Sequence, residues 1–197
     1  MSRNDVIPFQ GAFNVTRRLV FVLASLSAIP SAVHAQVSTP ANPISTSQGK
    51  MYTLLSGVVI AAAEKMPEEN YSFKPTPEVR SFGQLVGHLA DSQYYFCSLA
   101  AGEKPPAGGA EKNKTSKADL VAALKEAVAY CTQTHAGMTD ARGGEMTKLM
   151  NIDFARLTVL AANTAHDYEH YGNMSTYMRM KGIVPPSSEK SASPAEK

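Results

Sequence analysis

The chain has 197 residues, 44% of them hydrophobic and 18% charged, with a formal net charge of +2. That length fits one ordinary domain, and so small a charge gives no reason to expect nucleic acid or an anionic membrane as partner. A GxSxG elbow, a Walker loop and a dinucleotide fingerprint are all missing.

The first 35 residues read as an export signal. Arg17 and Arg18 supply its basic region, Leu19 to Ile29 its apolar run, and Val33-His34-Ala35 before Gln36 the small-residue cleavage pattern. The run falls short of the about 20 residues that span a bilayer, so no stable membrane insertion is expected after cleavage. Thr16-Arg17-Arg18-Leu19-Val20-Phe21 also loosely resembles a twin-arginine signal, although paired arginines are commoner in ordinary signals. Of the 19 Lys and Arg and 17 Asp and Glu, this segment holds three basic residues (Arg3, Arg17, Arg18) and one acid (Asp5), which leaves 16 of each. The expected product is a neutral periplasmic or extracellular protein, monomeric or homodimeric.

Residues 36–46 read as a flexible tether. A first helix is expected from about Ser47, with Met51, Leu54, Leu55, Val58, Val59 and Ala62 repeating as a core-facing stripe, and it ends before Pro67. Residues 67–80 are a loop. Ser81 with Gln84 forms a capping box that opens a second helix, whose stripe is Phe82, Leu85, Val86, Leu89, Phe96 and Ala100. His88 sits on the flank of that stripe, beside Ser92 and Tyr95. A long polar connector follows Gly102. The second helix is about 30 Å long, and some 14 extended residues can carry the chain back along it, so the second and third helices can run parallel. Ser116 and Asp119 begin the third helix, which carries Leu120, Leu124, Ala127, Val128, Cys131, His135 and Met138. Residues 137–151 form a connection, and a fourth helix runs from about Ile152 to Lys181, stopped by Gly182. The folded domain thus spans 47–186, and 187–197 is a disordered tail.

Cys97 and Cys131 are the only thiols. On parallel helices their heights agree within about 3 Å, and on antiparallel ones they differ by more than about 10 Å, beyond a disulfide's reach of roughly 7 Å. The expectation is two buried free thiols, with a disulfide allowed by parallel helices.

His166 and His170 lie four residues apart and share one helical face with Val159, Asn163, Asn173 and Tyr177. So polar a core-facing arc needs partners, and a metal would supply one. Two imidazoles are too few, because a catalytic zinc usually has three protein ligands. His88 is the better third candidate, and His135, near the end of the third helix, ranks well below it. Asn163 and, less so, Asp91 are candidates to orient the imidazoles, each standing three residues from one of them. Tyr95, Asn173 and Tyr177 are candidate pocket residues.

The segments PEENYSFKPTPEVRSFGQLVGHLADSQYYF and HDYEHYGNMSTYMRMKGIVPPSS resemble the DinB/YfiT-like superfamily, a likeness that covers about residues 47–188. The resemblance implies an all-α fold, a four-helix bundle of up-down-down-up order, and a divalent metal held by His88, His166 and His170. Many relatives have His-Arg-Gly-Gln where this chain has His170-Tyr171-Gly172-Asn173, a departure that touches the substrate side and not the ligands. Two chemistries are implied for a small-molecule substrate: thiol-dependent transfer or isomerisation, and metal-dependent hydrolysis. Export favours hydrolysis. Zinc suits three imidazoles best, and nickel or iron(II) would also accept them. His166-Asp167-Tyr168-Glu169-His170 also resembles the HExxH helix of zinc proteases, but Asp in the place of the Glu base argues against that activity. A non-catalytic metal-binding or stress-related bundle is the alternative.

Overall fold

The computed structural model describes residues 41–189. The expected export signal, the first part of the tether and most of the tail lie outside the described residues. Four long helices carry the core: α1 (Pro43–Lys65), α2 (Phe82–Ala101), α4 (Lys117–Ala136) and α6 (Arg156–Met180). Short elements fill the connections, namely α3 (Ala110–Asn113), α5 (Asp140–Gly143) and a hairpin of β1 (Met146–Leu149) and β2 (Ile152–Ala155).

Helix α2 follows its local signals closely. Ser81 Oγ accepts from Gln84 N at 3.2 Å while Gln84 Oε1 accepts from Ser81 N at 2.8 Å, closing the capping box. Gly102, at φ 74°, ends the helix in the left-handed conformation that glycine adopts without strain. The last carbonyls, which no helical amide can reach, are taken by side chains: Thr147 Oγ1 donates to Leu99 O, Arg156 Nη1 to Ala100 O and Arg142 Nη2 to Ala101 O. All six residues of the expected stripe are buried.

Partners along each helix fix its direction. On α2 and α4, Gly83 lies against Leu120, Tyr94 against Tyr130 and Cys97 against Cys131, so these helices run parallel. Helix α6 runs the other way along α2, with His170 beside His88, Asp167 bonded to Gln93 and Arg156 at the far end. Helix α1 lies along α6, Gln48 reaching Thr164 and Lys65 reaching Val184 O, and runs against α4. Among the described residues, no helix is long and apolar enough to cross a membrane.

Five local expectations need correction. Helix α1 starts at Pro43, not Ser47, because Asp140 of the distant α5 accepts from Ile44 N and Ser45 N and so satisfies amides that a first turn leaves free. The buried face of α1 is also rotated: Tyr52, Leu55, Val59, Ala62 and Ala63 are buried, whereas Met51 and Leu54 are exposed. Tyr52 can go inside because its hydroxyl donates to Gln93 Oε1 at 2.9 Å. The long connector after Gly102 is not all irregular, since α3 forms within it. Residues 152–155 are strand rather than helix, and β1 and β2 pair around Met150 and Asn151, both at positive φ as a two-residue hairpin turn requires. Finally, Cys97 and Cys131 form a disulfide, their Cα atoms 5.3 Å apart, where free thiols were expected. The parallel run of α2 and α4 puts them at one height.

Candidate metal centre

Three imidazoles from two helices meet in the seam between α2 and α6. His88 Nε2 lies 3.1 Å from His166 Nε2, which lies 3.0 Å from His170 Nε2. His170 is buried, and the other two are half-buried. The spacing follows from helix geometry: residues i and i+4 stack on one face of α6, and antiparallel α2 brings its second turn to the same height.

This arrangement fits a cation. With protons on Nδ1, three Nε2 lone pairs face one another, which is unfavourable unless a positive charge lies between them. With protons on Nε2, the N–H groups of one short cluster crowd together with too few lone pairs to accept them, while the Nδ1 atoms of His166 and His170 are buried without partners among the described residues in either tautomer. Ligand atoms bound to one zinc at about 2.0–2.1 Å stand roughly 3 to 3.4 Å apart, close to the spacing here. Burial, with the charges of His170, His88 and Arg80 adding to it, pushes His166 down to about 4, and burial chiefly pushes His170 down as well. Both are thereby held neutral, the form that binds metal.

Of the residues expected to orient the imidazoles, Asn163 does something else. It is fully buried, but its Nδ2 donates to Gln93 Oε1 at 2.8 Å and approaches Cys131 Sγ at 3.4 Å, with no bond to any imidazole. The expectation that it holds a ligand is corrected: three residues before His166, it faces the bundle axis one turn away from the seam. Asp91 does not touch the imidazoles either, since it accepts from the backbone N–H groups of Gly109, Ala110 and Glu111. The carboxylate that reaches an imidazole is Glu111, which the sequence reading missed, with Oε2 3.2 Å from His88 Nδ1. Nothing in the pattern of the connector marked it, because its approach depends on how α3 is docked.

Behind the histidines lies a second buried polar group that also escaped the sequence reading. Gln93 Nε2 donates to both oxygens of Asp167 at 2.8 and 2.9 Å, while its Oε1 accepts from Tyr52 and Asn163. Burial raises Asp167 to about 7 against the opposing pull of Gln93. Asp167 follows His166 directly yet points into the core, away from the position that the glutamate base of a zinc protease helix would occupy.

A cleft of about 640 Å³ opens beside His170, and Arg80, Glu111, Glu169, Asn173 and Tyr177 are among its lining residues. Asn173 and Tyr177 thus lie where a pocket residue should, Asn173 exposed and Tyr177 with its hydroxyl donating to Arg80 O at 3.1 Å. Tyr95 is not in that lining, and 43% of its surface is exposed. His135 stands apart, stacked on Tyr52 with ring centroids 4.4 Å apart.

A predominantly helical protein with a three-histidine cluster able to hold a metal ion is the class that this fold and site define. The particular family follows from comparison: the chain belongs to the DinB superfamily, whose sequence profile matches residues 55–174. Among solved structures it is similar to a DinB-like protein from Bacillus cereus ATCC 10987, at 15% identity over 72% of this chain and 95% of that one, with a TM-score of 0.64. A DinB-like protein from Bacillus subtilis, YjoA, is similar at 20% identity over 70% of this chain and 93% of that one, with a TM-score of 0.58. At such identities the likeness is one of fold. No curated protein matches the chain.

Proposed function

We propose that this chain is an exported four-helix bundle of up-down-down-up order that holds one divalent transition metal, zinc by preference, on His88, His166 and His170 and acts on a small molecule. The observation that carries the reading is the convergence of three Nε2 atoms, those of His88 and His170 lying 3.1 and 3.0 Å from that of His166. Helices α2 and α4 running parallel between antiparallel neighbours support the topology. Bound by three neutral imidazoles, a divalent ion keeps its charge and supplies Lewis acidity to a water, a thiol or a carbonyl oxygen.

The chain's own residues support a catalytic role over simple storage. The imidazole of His170 forms part of the wall of a cleft of about 640 Å³, a size usual for small ligands. Arg80 and Glu169 give that wall both signs of charge, and Tyr177 braces the Arg80 backbone from α6. A hydrolase is favoured over a thiol transferase because small thiols are not expected to be plentiful outside the cytoplasm. The Cys97–Cys131 pair is of the kind that persists in oxidising compartments, which supports export.

Elemental analysis of protein purified without affinity-tag metals tests the central claim. One equivalent of a transition metal per chain is expected, and His88→Ala, His166→Ala and His170→Ala should each lose most of it while His135→Ala keeps it. Full retention by His88→Ala would remove α2 from the ligand set. N-terminal sequencing of the same preparation should begin at Gln36, and an intact Met1 in protein recovered from its native compartment would refute cleavage.

A further inference from the structure

We propose that Glu111 is the positioning residue for the metal ligand His88, and that Asp91 and Gly87 build its seat. The inference rests on the metal-binding reading above.

Glu111 belongs to α3, a single turn inside an otherwise irregular connector. Its carboxylate is fixed at both oxygens: Oε2 lies 3.2 Å from His88 Nδ1 and Oε1 accepts from Arg80 Nε at 2.8 Å. A carboxylate at Nδ1 draws the imidazole proton to that atom. It thereby leaves the lone pair on Nε2, the nitrogen that faces His166, and makes it more basic. His88 is the ligand that has such a partner. It is the one imidazole contributed by α2, it is half-buried, and it has no neighbour at i+4 to share its site. The Nδ1 atoms of His166 and His170 have no partner among the described residues, so Glu111 is the carboxylate that acts on this cluster.

The placement of Glu111 is built rather than incidental. Asp91, one turn after His88 on the same helix, accepts from Gly109 N and Ala110 N through Oδ1 at 2.7 and 2.8 Å, and from Glu111 N through Oδ2 at 3.1 Å. Three charge-assisted bonds pin the start of α3 to α2. Gly87, the residue before His88, lets the two backbones touch: a Cβ there would stand 2.6 Å from Glu111 Cα and 2.7 Å from Glu111 N. Helix α2 therefore presents Gly87, His88 and Asp91 as one unit, in which the ligand is flanked by the two residues that seat its orienting carboxylate. Because Arg80 also lines the cleft beside His170, the pair Arg80–Glu111 links the substrate side of the site to the ligand.

The test uses the full exported chain. Zinc(II) is titrated against a chelator of known strength into the wild type and the variants Glu111→Ala, Glu111→Gln, Asp91→Ala and Lys112→Ala, and the visible spectrum of each cobalt(II) form is recorded. Glu111→Ala should weaken zinc binding about 10 to 100-fold and alter the cobalt spectrum. Glu111→Gln keeps an acceptor at the same reach and should recover part of the affinity and the wild-type spectrum, a rescue that a merely structural role would not produce. Asp91→Ala should weaken binding in the same direction by unseating Glu111, and Lys112→Ala, exposed on the same turn, should match the wild type. Binding by Glu111→Ala within about threefold of wild type, with an unchanged spectrum, would overturn the proposal and leave the metal site standing. Should Glu111→Ala fail to fold, undiminished affinity and an unchanged cobalt spectrum in Asp91→Ala would overturn it equally. A wild type that binds neither zinc nor cobalt would instead sink the metal reading itself, and this inference with it.

Discussion

His135 shows how one side chain's environment becomes a measurable property of the protein. It is 7% exposed, stacks on Tyr52, and neither ring nitrogen has a partner among the described residues, so burial pushes it down to about 4. An unfolded histidine titrates near 6.5, so between those values the unfolded chain takes up a proton that the folded chain refuses. This contribution is therefore intact above about pH 6.5 and is lost as pH falls towards 4, reaching about 2 kcal/mol at pH 5. His166 and His170 shift in the same direction. Asp167, raised to about 7, opposes them, because its folded form binds a proton that the unfolded chain gives up over the same range. The His135 contribution is therefore read as a difference: from pH 7.5 to 5, metal-free His135→Phe, which keeps a ring against Tyr52, should lose about 2 kcal/mol less stability in urea than metal-free wild type. Equal losses in the two proteins would mean that His135 is protonated in place, with its ring turned to solvent. The two imidazoles also differ in place: His135, on an apolar stripe, packs against Tyr52, whereas His88, on the flank of its stripe, reaches the seam between α2 and α6.

Elements were legible where their signals were local and obscure where distant residues made them. Helix α2 could be read because its cap, its stripe and its stop all lie within it. The hairpin could not, because its turn is Met150-Asn151 rather than the Asn-Gly or Asp-Gly that usually announces one, and its first strand is mostly exposed. The start of α1 depends on Asp140, and α3 depends on Asp91, each supplied from another part of the chain. The paired histidines of α6 were plain from their spacing. Their meeting with His88 was suggested by its place on the flank of the α2 stripe and implied by the family resemblance, whereas Glu111 needed the docked connector. Docking of α3 makes its own prediction. Gly87→Ala should lower stability by about 1–3 kcal/mol, because the atoms that it meets are Glu111 and Ala110 backbone and cannot rotate aside. Gly57→Ala, on the exposed face of α1 with nothing within 4 Å, should instead raise stability by roughly 0.5–1 kcal/mol. Urea unfolding of both variants reads the contrast, and a neutral Gly87→Ala would show that α3 is not held against α2 in solution.

At the scale of the whole molecule, α2 is the helix that both cross-links share. The disulfide ties it to α4 and the histidine cluster ties it to α6, while Gln93 between them bonds to α1 through Tyr52 and to α6 through Asp167 and Asn163. Cys97 and Cys131 are 34 residues apart in sequence, and closing such a loop in the unfolded chain is worth about 3–4 kcal/mol at 25 °C on the chain-entropy account. A ligand that binds only the folded state adds stability that grows with the logarithm of its concentration over its dissociation constant. The question is whether the two act through each other. Nine residues of helix separate Cys97 from His88, a rise of about 13.5 Å, and sites more than about 7–10 Å apart with no common partner usually add within about 0.3–0.5 kcal/mol. Here one partner is shared, since Asn163 touches Cys131 and also Gln93, but the Gln93 bonds to Asp167 hold α2 to α6 without the sulfur atoms. Reduction alone should therefore lower stability by about 3–4 kcal/mol, and chelation alone by the metal's own contribution. The two together should give nearly their sum, and zinc affinity of the reduced protein should stay within about threefold of the oxidised one. Urea unfolding of the four states, with Cys97→Ser/Cys131→Ser standing in for reduction, completes the cycle. A coupling above about 1 kcal/mol would mean that α2 shifts along its axis when the disulfide opens and carries His88 out of reach of α6.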